Sequence, residues 1–362
     1  MQPDGSIFEK RRSLLSARFF EFGVEALLFF GNKNIRYLTG FTGDEAVLYL
    51  KEQLAVLLVD GRFTTQAKGE AIGAEILDCR DKVEAIRSVL AGDDVGAVGI
   101  ESAVMTVDTY NKLNDGGLGN VALKPLAEKI SEIRVIKDDG EIARMRRAAA
   151  IAREALLGIR DRIKPGVSER DIALELEYRM RQGGAEGVSF PAIVASGVNS
   201  ALPHATPQER RIERGDALVV DFGAIYEGYH SDETWTCFVG EASDRQRDVY
   251  GLVKEAHDRA LDAVKAGIPC CEIDRIARGC IEDGGMGAYF SHGTGHGVGL
   301  DVHEAPRLAA GSERVLEAGM VITIEPGVYI PGLWGVRIED MVLVKNDGCE
   351  VLTGMPKTLT LI

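Results

Sequence analysis

The chain of 362 residues has 42 lysines and arginines against 56 aspartates and glutamates, which gives a formal net charge of −14. This acidity excludes sequence-independent binding of nucleic acid, which requires a basic face, and the longest apolar runs are too short to cross a membrane. A chain of this length is too long for a single ordinary hydrophobic core, so we expect two domains.

The N-terminal stretch and the cysteines indicate where the protein works. The opening sequence "MQPDGSIFEKRRSLLSARFFEFG" carries charges where a signal peptide would have a continuous apolar segment. The six cysteines have neither the spacing of a metal finger nor the density of a disulfide framework. We therefore expect a cytoplasmic protein with reduced thiols.

The pattern of predicted secondary structure changes near residue 134. Before it, short apolar strands such as "ALLFF", "LAVLLVD" and "AVGIES" alternate with amphipathic helical stretches. This alternation predicts an α/β N-terminal domain over residues 1–133. Asp138 and Glu141 then have the spacing of a capping box and open a long helix rich in alanine and arginine. A second domain is predicted over residues 134–362.

The second domain nearly repeats itself. "IKPGV" at 163–167 returns as "VKAGI" at 264–268, and the Gly-Gly pair at 183–184 returns at 284–285, both with an offset of 101 residues. "LPHATP" is echoed by "DVHEAP", and "VVDFGA" by "ITIEPG". We expect two halves of similar build that face each other about a pseudo-twofold axis, so that equivalent residues meet between them.

Each half contributes two acidic residues. "LVVDFGAIYEGYHSDETW" is typical of a β-hairpin with its turn near Glu227 and Gly228. Across a two-residue loop, paired positions sum to an odd number, so Asp221 and Asp232 are predicted on one face of the hairpin.

In the second half, Glu325 ends one apolar strand and Glu339 lies in another. An acid inside such a strand is unfavourable unless something compensates its charge. If the two halves face each other, these glutamates and the two aspartates converge.

Four such carboxylates could not all stay ionised unaided, because like charges raise one another's pKa. Two divalent cations would balance them, and His296 in the glycine-rich "HGTGHGVG" could supply a nitrogen ligand, since glycines let the backbone approach closely. Oxygen-rich ligation with one imidazole favours Mn(II) or Co(II), with Fe(II) or Zn(II) possible. Paired metals about 3.5–4 Å apart can hold a hydroxide and polarise a carbonyl oxygen, as metal-assisted hydrolysis requires.

Several motifs together resemble the pita-bread metallopeptidases, which include methionine aminopeptidase, aminopeptidase P, prolidase and the metal-free creatinase. These are "VDFGA", "SDET", "HGTGHGVGLDVHE", "IEPGVY" and "GVRIED", while "NIRYLTGFTG" and "VDGRFTTQA" resemble the creatinase-type N-terminal domain. The resemblance covers nearly the whole chain. It implies an α/β creatinase-like N-terminal domain and an α+β pita-bread catalytic domain with internal pseudo-twofold symmetry. The metal ligands that it implies are Asp221, Asp232, His296, Glu325 and Glu339.

The resemblance also assigns residues to the substrate. His204 and His303 would orient the scissile peptide and stabilise the oxyanion or the departing amine, and Glu325 would double as ligand and proton shuttle. Arg307 in "HEAPR" resembles the arginine that prolidases place near the free carboxylate, which a guanidinium can fix with two hydrogen bonds. A surface arginine over an apolar patch is the alternative. Arg337 is a further candidate for substrate contact, although a partner of a ligating carboxylate is the favoured interpretation.

The remaining histidines are given ordinary roles. We expect His292 to stiffen its loop, and His230 and His257 to be exposed. One feature departs from the family pattern: relatives often read "SDxTRT" where this chain has "SDETWTC", so that Trp235 replaces an arginine. Any role of that arginine in specificity is therefore open.

The sequence thus predicts a metal-dependent Xaa-Pro dipeptidase that acts on short proline-containing peptides, with a hydroxide between two metal ions as the nucleophile. One alternative is an aminopeptidase P, which removes the first residue from longer Xaa-Pro peptides. Another is a pita-bread binding module that has lost catalysis. The resemblance further suggests a homodimer in which the N-terminal domain of one subunit borders the active site of its partner.

Overall fold

A computed structural model of the protein describes residues 5–52, 54–115 and 117–362. The first four residues of the predicted N-terminal domain, Gln53 and Gly116 lie outside the described residues. The chain divides into two compact units, one ending at Arg134 and the other spanning Val135–Ile362. Among the described residues, no helix combines the length and the apolar character needed to traverse a bilayer.

The first unit is built on a six-stranded mixed sheet in the order β4-β3-β2-β1-β5-β6. Strands β1 and β2 are almost wholly buried apolar runs, which is typical of strands that helices cover on both faces. The strands are β1 Ala26–Phe29, β2 Ala46–Lys51, β3 Leu54–Val59, β4 Glu75–Asp78, β5 Ala97–Ile100 and β6 Ala122–Pro125. The helices are α1 Gly5–Ser16, α2 Phe19–Phe22, α3 Asn32–Thr39, α4 Thr64–Glu70, α5 Lys82–Ala91 and α6 Val107–Asp115, followed by a 3₁₀ segment at Ala127–Arg134.

The second unit begins with the predicted capping box. The Asp138 side chain accepts a hydrogen bond from the Glu141 N–H, and the Glu141 side chain accepts one from the Asp138 N–H. The helices are α7 Asp139–Ile159, α8 Glu169–Gln182, α9 Asp244–Ala263 and α10 Cys270–Asp283, with 3₁₀ turns at Arg160–Arg162, Gly197–Ala201 and Gly287–Tyr289. The strands are β7 Gly187–Val188, β8 Ile193–Ser196, β9 Ala217–Phe222, β10 Ala224–Tyr226, β11 Tyr229–His230, β12 Glu233–Phe238, β13 Gly295–Gly297, β14 Glu304–Leu308, β15 Val321–Ile324, β16 Gly327–Ile330, β17 Trp334–Arg337, β18 Asp340–Val344 and β19 Cys349–Val351.

The repeat seen in the sequence is present in the elements. Each half places two long helices before its strands. The turn between the helices contains Gly166 in one half and Gly267 in the other, with φ of +93° and +89°. Their N–H groups donate to the carbonyl oxygens of Ile212 and Leu316, both at 2.8 Å. The two halves therefore repeat a helix-turn-helix unit that is fastened to the segment before the central strands.

The helices pack on one side of the strands and leave the other side for the site. Leu176 of α8 lies in one apolar cluster with Val220 of β9 and Trp235 of β12. In the second half, Ile273 of α10 lies in a cluster with Ile322 of β15. Because side chains alternate along a strand, the neighbours of these core residues point to the opposite face. Trp235 is therefore part of the core. The replacement of the family's arginine by Trp235 thus does not alter the polar face on which Asp221 lies.

Two histidines are not where the sequence placed them. His230 and His257 are 7% and 1% exposed, so the expectation of exposure was wrong. His257 follows Val253 by four residues on α9 and shares its buried face, since residues four apart stack on one side of a helix. Its Nε2 lies 3.2 Å from Asp340 Oδ2.

Candidate active site

The first pair of acids lies on a β-hairpin, as predicted. The strands pair from Ala217↔Phe238 to Phe222↔Glu233 and, after a short interruption, pair again in the same register at Ile225↔His230 and Tyr226↔Tyr229. The two residues of the turn, Glu227 and Gly228, have φ of 45° and 78°, which is the left-handed conformation that a tight hairpin turn requires. Asp221 pairs with Thr234, and Asp232 precedes Thr234 by two residues. Both aspartates therefore lie on one face.

The second pair of acids lies on a second hairpin. Strands β15 and β18 pair Ile324 with Asp340, and β16 and β17 pair Gly327 with Arg337 in the same register. Continued between these two pairs, the register sets Glu325 opposite Glu339. The sequence had predicted that Glu325 ends one strand and that Glu339 lies within another, but it had not placed them opposite each other. In the structure Glu325 directly follows β15, and Glu339 lies in the short gap between β17 and β18.

The glycine-rich loop brings an imidazole to these acids. Nε2 of His296, on β13, lies 3.6 Å from Asp232 Oδ2 and 3.6 Å from Glu325 Oε1. A Cβ on Gly295 would lie 2.0 Å from the Thr323 carbonyl oxygen, and a Cβ on Gly297 2.2 Å from that of Ala305. Only glycine allows this close approach of the backbone.

The imidazole presents a lone pair to the carboxylates. Burial lowers the pKa of His296 to about 4, so the ring is neutral, and Nδ1 lies 3.0 Å from the Gly297 carbonyl oxygen. A proton assigned to Nδ1 by this contact leaves Nε2 as an acceptor. Two acceptors facing each other fit a cation between them. Metal-binding histidines usually donate their other N–H to such a carbonyl.

One ligand atom from each of Asp232, His296 and Glu339 lies within 4.8 Å of the other two. Asp232 and Glu339 are buried, and the Oδ1 atom of Asp221 is buried without a hydrogen-bond partner among the described residues. Oxygen ligands with one imidazole are a donor set that divalent transition metals accept. These residues therefore fit a metal centre.

The electrostatics of the four acids fit a site that binds cations. Burial raises the pKa of Asp232 well above its usual range, and Glu339 adds to the rise. Burial, with a contribution from Glu325, does the same for the pKa of Glu339. Burial raises the pKa of Glu325 to about 8. Burial also raises the pKa of Asp221, and the charge of Arg337 opposes this rise. Bound cations would reverse these shifts.

The guanidinium of Arg337 donates hydrogen bonds to several groups of the protein itself. The residue is 3% exposed, and its Nη2 donates to Asp221 Oδ2 at 2.6 Å. Nε donates to Thr234 Oγ1 at 3.0 Å, while Nη1 donates to the Tyr329 hydroxyl at 2.8 Å and the Pro203 carbonyl at 3.2 Å. These are the contacts expected of a partner of a ligating carboxylate, and direct contact with substrate stays a prediction.

The other residues assigned to substrate are exposed. They are His204, His303 and Arg307. The ring of His303 meets that of His296 edge to face, with centroids 4.2 Å apart. Burial lowers the pKa of His303, and the nearby His204 lowers it further. Arg307 on β14 pairs with His296 on β13, next to a β-bulge. All the residues predicted for the site thus lie in the second unit, on or near the two hairpins and the β13–β14 pair.

Two polar side chains of the site were missed by the sequence reasoning. Thr234 donates to Glu339 Oε2 at 2.7 Å, and the Tyr329 hydroxyl lies 2.9 Å from Nε2 of His292. Hairpin parity could have found Thr234, because it pairs with Asp221. Strand alternation from Glu325 could have found Tyr329. His292 also lies 2.8 Å from the Gly293 carbonyl oxygen through Nδ1, which agrees with a role in stiffening its loop.

Comparison with known proteins agrees with the family resemblance of the motifs. Residues 143–346 match metallopeptidase family M24, and residues 11–136 match the creatinase/prolidase N-terminal domain. The Xaa-Pro dipeptidase of Pyrococcus horikoshii is 37% identical over 348 residues, which are 93% of this chain and 94% of that protein.

Solved structures are similar over nearly the full length. The Xaa-Pro dipeptidase from Bacillus anthracis is 39% identical, with a TM-score of 0.95 over 99% of this chain and 100% of that one. The X-Pro aminopeptidase from Thermotoga maritima is 35% identical, with a TM-score of 0.90 over 97% of this chain and 99% of that one.

Proposed function

Since the chain belongs to metallopeptidase family M24, we propose that it is a metal-dependent Xaa-Pro dipeptidase, which hydrolyses the imide bond of dipeptides that end in proline. The expected fold is confirmed: a creatinase-type N-terminal domain precedes a catalytic domain of pita-bread fold. The domain boundary between residues 133 and 134 is part of the proposal. The main support for the proposed activity is that ligand atoms of Asp232, His296 and Glu339 lie within 4.8 Å of one another.

The proposed ligands are the five residues that the resemblance implied. When bound, two divalent cations would supply a Lewis acid for the carbonyl oxygen and would lower the pKa of water. We propose Mn(II) or Co(II), because carboxylates provide all but one of the ligands and no thiolate is among them. The proposed ligands are Asp221, Asp232, His296, Glu325 and Glu339.

Other residues would handle protons and hold the peptide. Glu325 would double as metal ligand and proton shuttle, as the family resemblance implies, since a carboxylate can accept a proton and return it. His303, whose pKa is lowered, is a neutral imidazole that can donate a hydrogen bond to the developing oxyanion or to the leaving nitrogen. His204 would share this task. Arg337 and Thr234 hold the acids in place.

Arg307 favours a dipeptide over a longer substrate. It is exposed and pairs with His296 across two strands. A guanidinium there could bind the C-terminal carboxylate of a dipeptide in two charge-assisted hydrogen bonds. In a longer peptide this carboxylate is farther from the scissile bond.

An aminopeptidase P is the second candidate, because the structure of the X-Pro aminopeptidase from T. maritima is similar to this chain with a TM-score of 0.90. The deciding experiment compares hydrolysis of Leu-Pro and of Leu-Pro-Xaa tripeptides by stripped protein reconstituted with Mn(II), Co(II) or Zn(II). We expect the dipeptide to be cleaved and the tripeptide to resist. Faster cleavage of the tripeptide would establish the aminopeptidase. Absence of hydrolysis with every metal would support a binding module instead.

We further propose that the protein is a cytoplasmic homodimer. The proposal extends the family resemblance, in which the N-terminal domain of one subunit limits access to the active site of the other. Light scattering at working concentration tests it, and a monomeric mass would contradict it.

A further inference from the structure

Each of two proposed ligands has an acidic neighbour on the face away from the metals. Asp232 is followed by Glu233 and Glu339 by Asp340. Successive side chains of an extended strand point to opposite faces. The two neighbours are accordingly buried behind the site, with exposures of 1% and 4%.

A single ammonium group joins these neighbours. Nζ of Lys357 lies 2.7 Å from Glu233 Oε1 and 3.2 Å from Asp340 Oδ1. Its side chain is 11% exposed. Glu233 belongs to β12 of the first half and Asp340 to β18 of the second. Lys357 therefore ties the two halves together directly behind the residues that would bind metal.

The C-terminal segment holds Lys357 in this position. The Met355 N–H donates to Glu233 Oε1 at 2.7 Å, and Thr353 Oγ1 donates to Asp340 Oδ1 at 2.5 Å. The same segment thus binds both acids through its backbone and side chains. Removing only the ammonium would leave two buried carboxylates with insufficient positive charge, and such groups repel each other strongly in a buried environment.

We propose that Lys357 is a positioning residue of the metal centre, which keeps the strands of Asp232 and Glu339 at the separation that metal binding requires. The inference rests on the proposed function, because it assumes that both residues are ligands. Lys357 touches neither metal nor substrate. Its effect should therefore appear in metal affinity, and residues outside the ligand set commonly change that affinity about 10- to 100-fold.

The experiment titrates Mn(II) into metal-free protein by calorimetry at a temperature where every variant is folded. We expect Lys357→Met to bind Mn(II) about ten-fold or more weakly than the wild type. Lys345→Met is the matched control, because Lys345 is half-exposed and pairs with Glu350 away from the site. The control should bind like the wild type.

A second variant guards against misfolding. Lys357→Met combined with Glu233→Gln removes one of the two carboxylate charges, and the remaining carboxylate, Asp340, keeps His257 Nε2 at 3.2 Å. The tie between the two halves stays lost, so this variant should fold and still bind Mn(II) weakly. At saturating Mn(II), both variants should recover most of the wild-type kcat, which distinguishes positioning from general damage. Wild-type affinity in either folded variant would overturn the inference alone. A wild type that binds none of Mn(II), Co(II) and Zn(II) would overturn the proposed function, and the inference with it.

Discussion

His296 and His303 are in contact, yet they have different surroundings. Nε2 of His296 faces two carboxylate oxygens, whereas His303 is exposed at the rim. One imidazole thus has the contacts of a ligand and the other those of a group that meets substrate. Ring contact alone could not separate the two roles, but the partners of each nitrogen can.

Replacement of His303 by alanine tests this division. The variant should keep the metal content of the wild type, because His303 is exposed and is not one of the five proposed ligands. Its kcat should fall about 10²- to 10⁴-fold, the usual range for loss of a group that transfers or stabilises charge. Elemental analysis and steady-state kinetics on Leu-Pro measure the two quantities. Loss of metal would place His303 among the ligands and contradict the proposed roles.

Arg307 should act on substrate binding. Arg307→Ala should raise KM for Leu-Pro about 10- to 100-fold, the equivalent of losing charge-assisted hydrogen bonds to a carboxylate. Because the carboxylate is bound alike in ground and transition states, kcat should change little. The amidated dipeptide Leu-Pro-NH₂ is the control, since the mutation should leave its KM unaltered. A fall in kcat at constant KM would show that Arg307 does not serve this purpose.

At the scale of elements, a buried acid secures the loop that carries His204. Glu169, at the start of α8, is fully buried. It accepts hydrogen bonds from the Ser196 N–H at 2.7 Å, from Asn199 Nδ2 at 3.1 Å and from the Gln208 N–H at 3.1 Å. These donors lie on both sides of His204 along the chain. The helix therefore fixes both ends of an otherwise exposed loop.

Glu169→Ala should consequently lower both stability and activity. Buried donors left without acceptors should reduce the free energy of unfolding by at least about 2 kcal/mol, and displacement of His204 should lower kcat about ten-fold or more. In a His204→Ala background, the same change should cost little further kcat, because coupled residues are not additive. Urea denaturation and kinetics check this. Additive losses of kcat would mean that Glu169 does not act through His204.

A matched control comes from the same helix. Glu177 is exposed and pairs with Arg181 on the surface of α8. Glu177→Gln should leave stability and kcat close to those of the wild type, since exposed ion pairs contribute little.

What the sequence could predict depended on whether a feature was local. The face shared by Asp221 and Asp232 follows from the parity of one tight turn, so it was predictable. The opposition of Glu325 and Glu339 depends on the three-residue connection between β16 and β17, which the apolar pattern does not define. The burial of His257 depends on which side of α9 faces the strands, and the charges beside it in the sequence concealed that side.

For the whole molecule, the family motifs were sufficient to predict the fold, because several had to occur together in order. The packing of the two halves was not predictable in the same way. Contacts such as Thr236 Oγ1 to the Arg337 carbonyl oxygen, at 2.6 Å, and Lys357 to both halves join residues far apart in sequence. The proposed metal centre lies where these long-range contacts meet, so its stability and that of the fold should be coupled.

This coupling predicts how the metal-free protein responds to pH. Burial raises the pKa of Glu325 from 4.5 to about 8. Between these values the folded state holds a proton that the unfolded state releases. A carboxyl group shifted in this direction stabilises the protein most below pH 4.5, and its contribution is lost as the pH rises towards 8. Metal-free protein should therefore unfold at progressively lower temperature across the upper part of that window.

Two comparisons isolate the effect of Glu325. Protein loaded with Mn(II) should lack this decline, because bound cations keep the carboxylates ionised and binding itself releases protons. Metal-free Glu325→Gln should show a shallower decline than the metal-free wild type, since the variant has no proton to lose at this position. Scanning calorimetry over the pH series measures all three. If the metal-free wild type instead became more stable as the pH rose, the buried acids would not be the groups that link metal binding to folding. If Glu325→Gln followed the wild type in parallel, Glu325 would not be one of these groups.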